Sequence, residues 1–377
     1  MRIAQITPFF LPNSGGVEEY VHQISKNLIE RNIEVDVLTT DILRGHQKRL
    51  KKFEIIEGIR VFRFSPIFSL GNFGYFWPSF ISFLIRERYD LVHVHVYRHP
   101  HTFIAALICK LNGIPCIITT HSPFHPSKNL IRKILTSFFD SFFKWYLTLF
   151  DRIIAVNDSE EERIGHFIKN KICKIPIGIP SYFISTKKEI NKKSKKPVIL
   201  YVGRIHESKG LDFLLKTIVA VDENLELLVV GPIEDKNYYL KLKNFIKRNK
   251  IKVRFLGKIR REKLVGIYDR AEIVFIPSPY EAFGIVILEA FARGKPVIAV
   301  DSDGPRFLIK HGENGFLVKY GDVENAAKYI RLLLNERKLY YKISQNNIKK
   351  AKQFTWNKIV EKIIKVYEEV LSNNNRF

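Results

Sequence analysis

The chain has 377 residues, 46% of them apolar, which is enough to bury the cores of two domains. Its 62 Lys and Arg against 38 Asp and Glu leave a formal net charge of +24, which points to acidic partners: nucleotide phosphates, anionic lipid headgroups or nucleic acid. Three cysteines, Cys109, Cys116 and Cys173, have no metal-ligand spacing, and no uncharged apolar run approaches the length of a membrane span, so a disulfide scaffold, a zinc module and a spanning protein are not expected.

The sequence opens directly on a strand, Arg2–Ile6, which argues against a secretory leader and, with the odd cysteine count, for a cytoplasmic protein. A loop with Gly15-Gly16 follows, then a helix over 17–29 with Val17, Tyr20, Val21, Ile24 and Leu28 on one face. Gly15 and Gly16 would let a phosphate approach the helix start, but the spacing is not that of a dinucleotide fingerprint. Strands are predicted over 34–39 and 59–64, separated by a polar, basic and mobile stretch from Asp41 to Lys52. A helix is predicted over 75–88, a strand over 90–94, a helix over 102–111 and a strand over 115–120. His121 then stands at the carboxyl end of that strand, where open α/β sheets place their ligands. His93, His95, His99, His101 and His125 lie nearby in sequence without metal-site spacing.

Residues 130–150 read as a helix whose apolar stripe is wider than one core face needs. It is either a core helix of the first domain or an amphipathic surface resting on a membrane, with its basic residues toward headgroups. A strand over 152–156 and a helix over 158–168 follow, the latter capped by Asp158 or Ser159. The Lys-rich, apolar-poor stretch 185–197 reads as a linker. This divides the chain into a first domain, 1–184, a linker, 185–197, a second domain, 198–354, and a terminal helix, 355–377.

The second domain opens with a strand over 198–202 and the segment GRIHESKG, 203–210. Arg204 can bridge two phosphate oxygens with its planar fork, and Lys209 adds a point charge. Strands at 225–230 and 253–256 alternate with a helix over 238–248, and Gly257-Lys258 follows the second of them. The most informative stretch is 275–300, FIPSPYEAFGIVILEAFARGKPVIAV. It reads as strand, loop, buried helix and strand, with Glu281 on the loop and Glu289 inside the helix. A buried carboxylate must be paired or hydrogen-bonded, so Glu289 has either a ligand hydroxyl or a buried cation as partner. Gly284, at the helix start, permits close approach, and the free N–H groups there suit a phosphate. An anion site between two hydroxyl-accepting carboxylates fits a phosphorylated sugar. Asp301-Ser302-Asp303 is read as a turn and not as a metal site.

The run EAFGIVILE, with PSP before it and GKPVI after it, resembles the E-x7-E signature of retaining glycosyltransferases of family 4. The GRIHESKG segment resembles that family's phosphate-binding loop, and Gly15-Gly16 its first glycine loop. The resemblance implies the GT-B fold: two doubly wound Rossmann-like α/β domains facing a cleft, with a C-terminal helix returning to the first. It implies a hexosyltransferase acting on a nucleotide-sugar donor, UDP- or GDP-linked, and a glycan or lipid-linked acceptor. On this pattern Glu281 contacts hydroxyls of the transferred sugar and Glu289 the ribose. Arg204, Lys209 and the backbone of Phe283, Gly284, Ile285 and Val286 hold the diphosphate. Gly257 and Lys258 touch the base, His121 contacts the sugar, and Gly15 and Gly16 close over the donor diphosphate or the acceptor. No cofactor or metal is implied and no nucleic acid is expected, while peripheral contact with anionic membrane is left open. Two departures stand out: Ile177 replaces an Asn common before Gly178, and Phe307 replaces the usual Glu of the loop after Gly304. The rival readings are a GT-B sugar-nucleotide epimerase and a basic nucleic-acid-binding protein.

Overall fold

The computed structural model describes residues 1–13, 15–69, 74–121, 144–185, 196–221 and 224–374. The chain divides into two compact units, Met1–Gly178 with Trp356–Phe377, and Ile179–Thr355.

Among the described residues, the first unit has ten strands: β1 (Arg2–Ile6), β2 (Glu34–Thr40), β3 (Phe53–Ile56), β4 (Ile59–Phe64), β5 (Phe68–Ser69), β6 (Tyr75–Phe76), β7 (Leu91–His95), β8 (Cys116–Thr119), β9 (Arg152–Ala155) and β10 (Ile172–Lys174). Eight form one sheet in the order β10-β9-β8-β7-β1-β2-β4-β3. Its pairs are parallel except for the β3–β4 hairpin. The central strands are buried along their length, as expected where helices cover both faces of a parallel sheet. The chain leaves β1 for β2 on one side and later returns to β7 on the other, so the strand order reverses between β1 and β7. A crevice at the carboxyl ends of such a pair is the usual ligand position in open α/β sheets.

The second unit holds a six-stranded parallel sheet, ordered β13-β12-β11-β14-β15-β16, from β11 (Val198–Val202), β12 (Glu226–Val230), β13 (Val253–Gly257), β14 (Ile273–Ile276), β15 (Val297–Val300) and β16 (Phe316–Val318). Here the reversal falls between β11 and β14. The terminal helix, Trp356–Asn374, packs within the first unit: the Tyr367 hydroxyl accepts from Gln5 Nε2 of β1 at 3.2 Å, and Gly178 abuts the Trp356 ring. Both sheets are those of two Rossmann-like α/β units.

Several sequence expectations are corrected. The segment 75–88 is not one helix: Tyr75–Phe76 pairs with Phe68–Ser69, and the helix spans only Phe80–Glu87. Pro78 lies between them, and its missing N–H and effect on the preceding residue explain the break. The stretch 41–52 is tied down, because Asp41 is 1% exposed and holds Arg49 Nη1 and Lys52 Nζ at 2.9 Å each. Asn157, rather than Asp158 or Ser159, caps the helix Asp158–Ile168, its Oδ1 accepting from Glu160 N at 2.8 Å. The first unit ends at Gly178, not 184, because the next residues pack into the second unit. Ile179 N donates to Phe354 O, Ser185 N donates to Ala292 O, and Phe183 is fully buried. Most of the expected linker, 186–195, and most of the expected helix at 130–150 lie outside the described residues. Of the latter, Lys144–Leu149 is a 3-10 turn with Tyr146, Leu147 and Phe150 in the core and Trp145 exposed.

Candidate active site

A cavity of about 200 Å³ opens in the second unit at the β11/β14 reversal. Residues 201–204 at the end of β11 form one wall, and Ile276 and Ser278, at and just beyond the end of β14, form another. Lys209, Glu281, Gly284 and Val286 complete the lining. Five of the residues singled out from sequence, Arg204, Lys209, Glu281, Gly284 and Val286, therefore share one concave surface.

Each is placed by local structure. Arg204 and Lys209 follow β11, and Gly210 ends the short turn that carries Lys209. Pro277 and Pro279 stop pairing after β14, which frees the loop bearing Glu281. That loop is pinned from the next βα connection. Glu281 N donates to Ser302 Oγ at 3.2 Å, and Gly304 N donates to Glu281 O at 2.9 Å. A Cβ on Gly304 would stand 2.5 Å from the Phe283 carbonyl carbon, so only glycine permits this approach. Phe307, in the place of the usual Glu, lies with its ring 5.9 Å from that of Phe283, giving the loop an apolar support instead of a charge. In the segment 301–303, Asp301 pairs with Arg306 at 3.0 Å, and Asp303 begins the helix Asp303–Leu308. Gly284, at φ +85°, starts the helix Ile285–Ala292 in the left-handed region.

Both cations expected at the phosphates hold carboxylates. Lys209 Nζ lies 2.8 Å from Glu281 Oε2, and Arg204 Nη1 lies 2.6 Å from Glu234 Oε2. The second pair is solvent-exposed and weak, of order 1 kcal/mol or less, so an arriving diphosphate can displace it. Glu289 is 4% exposed and does not line the cavity. Its Oε1 receives Arg261 Nη2 at 2.9 Å, and its Oε2 receives the Tyr268 hydroxyl at 2.8 Å. Burial, with Glu289 beside it, pushes the Tyr268 phenol well above its usual range, so that hydroxyl stays a donor. Phe283 and Ile285 flank the cavity residues in sequence without lining it, and Gly257, the last residue of β13, and Lys258 after it are exposed. Sequence reasoning missed Tyr201 and Ser278, which line the cavity, and Ser302 and Glu234, whose partners Glu281 and Arg204 lie well away along the chain.

In the first unit, Gly15 precedes the helix Gly16–Ile29. The helix start carries a carboxylate of its own, Glu18, 2% exposed and 2.8 Å from Arg44 Nη2. His121 follows β8 with φ +56°. Its Nε2 lies 3.1 Å from His95 Nδ1, and its ring meets Tyr20 edge-on at 4.7 Å. Burial pushes its pKa down to about 3, so the ring is neutral at physiological pH.

Comparison with known proteins gives this arrangement its context. The model of the glycosyl transferases group 1 matches residues 183–350, and that of glycosyltransferase family 4 matches residues 14–181. The chain belongs to this glycosyltransferase family. An uncharacterized glycosyltransferase of Methanocaldococcus jannaschii is 28% identical, with 96% of each chain covered. The phosphatidyl-myo-inositol mannosyltransferase of Mycobacterium leprae is 25% identical, covering 100% of this chain and 99% of that one. Among solved structures, sucrose-phosphate synthase of Thermosynechococcus elongatus superposes with a TM-score of 0.79 at 21% identity, covering 99% of both chains. HepE of Anabaena in complex with UDP-glucose gives 0.74 at 20% identity, covering 98% of this chain and 100% of that one. The fold of this glycosyltransferase is GT-B.

Proposed function

We propose that this glycosyltransferase is a retaining hexosyltransferase that takes its sugar from a nucleotide diphosphate donor, UDP- or GDP-linked. The observation that carries the reading is the cavity at the β11/β14 reversal, where Arg204, Lys209, Glu281 and the start of the helix Ile285–Ala292 converge. Two cations and a helix N-terminus suit a diphosphate, and a carboxylate beside them suits sugar hydroxyls. HepE, similar in fold, is described with UDP-glucose, which supports a nucleotide-sugar donor. The mannosyltransferase relative acts on phosphatidyl-myo-inositol by its name, which supports a glycan or lipid-linked acceptor. Nothing in the site favours an epimerase or a nucleic-acid-binding protein.

In this proposal Arg204 and Lys209 stabilise the leaving nucleoside diphosphate as negative charge develops on it. The sugar C1–O bond to phosphate breaks as the acceptor oxygen bonds C1 on the same face. The acceptor proton passes to a phosphate oxygen. Glu281 stabilises the positive character of the sugar, and His121 contacts its hydroxyls. Glu289 supports the ribose side, with the edge of Arg261 and Tyr268 holding it in place. The two cations perform the charge neutralisation that a metal performs elsewhere, so no cofactor is assigned.

The test is a thermal-shift screen of nucleotide sugars followed by transfer with the best binder. A donor at about 100 times its Kd should stabilise by roughly 2.7 kcal/mol. The product anomer, read by NMR, should match that of the donor. Inversion at C1 refutes the retaining reading, and absence of a shift with every UDP and GDP sugar refutes the donor class.

A further inference from the structure

A buried chain of polar side chains runs from the terminal helix to His121, all within the first unit. The Tyr367 hydroxyl lies 3.2 Å from Gln5 Nε2 and 2.8 Å from His93 Nδ1. Gln5 Oε1 lies 2.6 Å from His95 Nε2, and His95 Nδ1 lies 3.1 Å from His121 Nε2. On the other arm, His93 Nε2 reaches Thr119 Oγ1 at 2.8 Å. Gln5, His93, His95, Thr119 and Tyr367 are all 0% exposed, so bulk water offers no substitute partner.

The direction of each bond follows from one atom. An amide oxygen only accepts, so Gln5 Oε1 requires the proton on His95 Nε2. Burial holds His95 neutral, which leaves its Nδ1 as a lone pair. His121 Nε2 must then be the donor across the 3.1 Å contact, and the neutral ring of His121 has an unprotonated Nδ1. Along the other arm, Gln5 Nε2 donates to the Tyr367 oxygen, and the Tyr367 proton goes to His93 Nδ1. His93 Nε2–H donates to Thr119, so each link of the two arms pairs one donor with one acceptor. Turning the Gln5 amide over would reverse each of these protons and place one on His121 Nδ1.

We propose that Tyr367, acting through Gln5 and His95, is a positioning residue that holds His121 as the Nε2–H tautomer and so presents Nδ1 as a hydrogen-bond acceptor. An acceptor nitrogen suits a sugar hydroxyl donating to it, whereas an Nδ1–H would suit a phosphate oxygen. The tautomer thereby selects which part of a nucleotide sugar His121 can meet. The functional half of this inference rests on the reading of His121 as a site residue given above; the tautomer itself does not.

The experiment is a long-range ¹H–¹⁵N correlation spectrum of the full chain with ¹⁵N-labelled histidine at neutral pH, assigned with His121→Asn. The expected result is the Nε2–H tautomer at His93, His95 and His121. An Nδ1–H pattern or an imidazolium at His121 overturns the proposal, and this readout needs no variant to fold beyond the assignment. Tyr367→Phe removes the acceptor of Gln5 Nε2 and lets the amide turn over. It should shift His95 and His121 toward Nδ1–H and lower kcat/KM roughly tenfold, the effect of one misdirected hydrogen bond. Tyr20→Phe, which keeps the ring against His121, should leave the tautomer unchanged. An unchanged His121 tautomer in Tyr367→Phe overturns the positioning role. If instead the tautomer shifts as expected but His121→Asn turns over like the unmodified protein, the chain of bonds stands and the site reading of His121 fails.

Discussion

Glu281 and Glu289 are the same residue type eight positions apart, yet their surroundings differ in kind. Glu281 lines the cavity and pairs with a partly exposed lysine, while Glu289 is buried and held by Arg261 and Tyr268. Replacing each by Gln should separate them. Glu281→Gln removes charge next to a sugar that turns positive in the transition state, so kcat should fall roughly a hundredfold, about 3 kcal/mol, with little change in donor affinity. Glu289→Gln removes the buried charge that Arg261 and Tyr268 hold and should lower stability by about 1–3 kcal/mol while weakening donor binding more than turnover. Steady-state kinetics with titrated donor, with urea unfolding alongside, checks both. A wild-type kcat in Glu281→Gln would sink the catalytic role. Histidine titration gives a second expectation at this scale. Burial lowers His121 and His101 to about 3 and His99 to about 4 from an ordinary 6.5, with His93 and His95 also well below it. A lowered folded pKa means the unfolded chain binds more protons between the two values, so stability falls as pH drops below 6.5 and is insensitive to these groups above it. Each group contributes a slope of about 1.4 kcal/mol per pH unit in that window. The Tm should therefore drop clearly from pH 7.5 to pH 5, by differential scanning calorimetry, and an unchanged Tm would contradict the burial of this cluster.

At the scale of elements, the site depends on the fit between two βα loops. The 281–284 loop is set by the segment 302–304 beneath it through Ser302 and Gly304. Gly304→Ala would force a methyl against the backbone of Phe283, which cannot rotate aside. Overpacking of this kind costs about 1–3 kcal/mol, and the strain is released by moving the loop that carries Glu281. The expected outcome is a lower Tm together with weaker donor binding by isothermal titration calorimetry. Stability loss without any change in donor binding would show that the loop contact is structural alone. The sequence signalled the glycine but not its partner, because Phe283 and Gly304 meet only when β14 and β15 lie side by side. The same reasoning accounts for the missed break at Pro78 and the missed cap at Asn157. Both were visible as residue types, and the apolar periodicity around them outweighed the local stop and start signals.

At the scale of the molecule, the charge of +24 makes two behaviours testable. Among the described residues no helix is long and apolar enough to cross a membrane. Surface attraction should nevertheless bring the protein onto vesicles containing anionic lipid at low salt and release it at high salt, as read by co-sedimentation. Failure to bind at low salt would point to a soluble acceptor. Activity should also survive EDTA if, as proposed, Arg204 and Lys209, which line one cavity, neutralise the diphosphate. Full loss in EDTA with rescue by a divalent ion would refute that assignment.

By itself the sequence determined the class of fold and marked residues that share one cavity of the second unit, because both are written locally. Alternating buried strands and amphipathic helices specify parallel α/β units, and the runs 203–210 and 281–289 each bring their chemistry within a few residues of one strand end. Tertiary structure alone decided the partners. Glu289 finds Arg261 and Tyr268, Lys209 finds Glu281 across 72 positions, and His121 is tied to Tyr367 through Gln5 and His95. A buried polar group must be satisfied by something, and the sequence states that requirement; which group satisfies it depends on strand order, which no local pattern encodes.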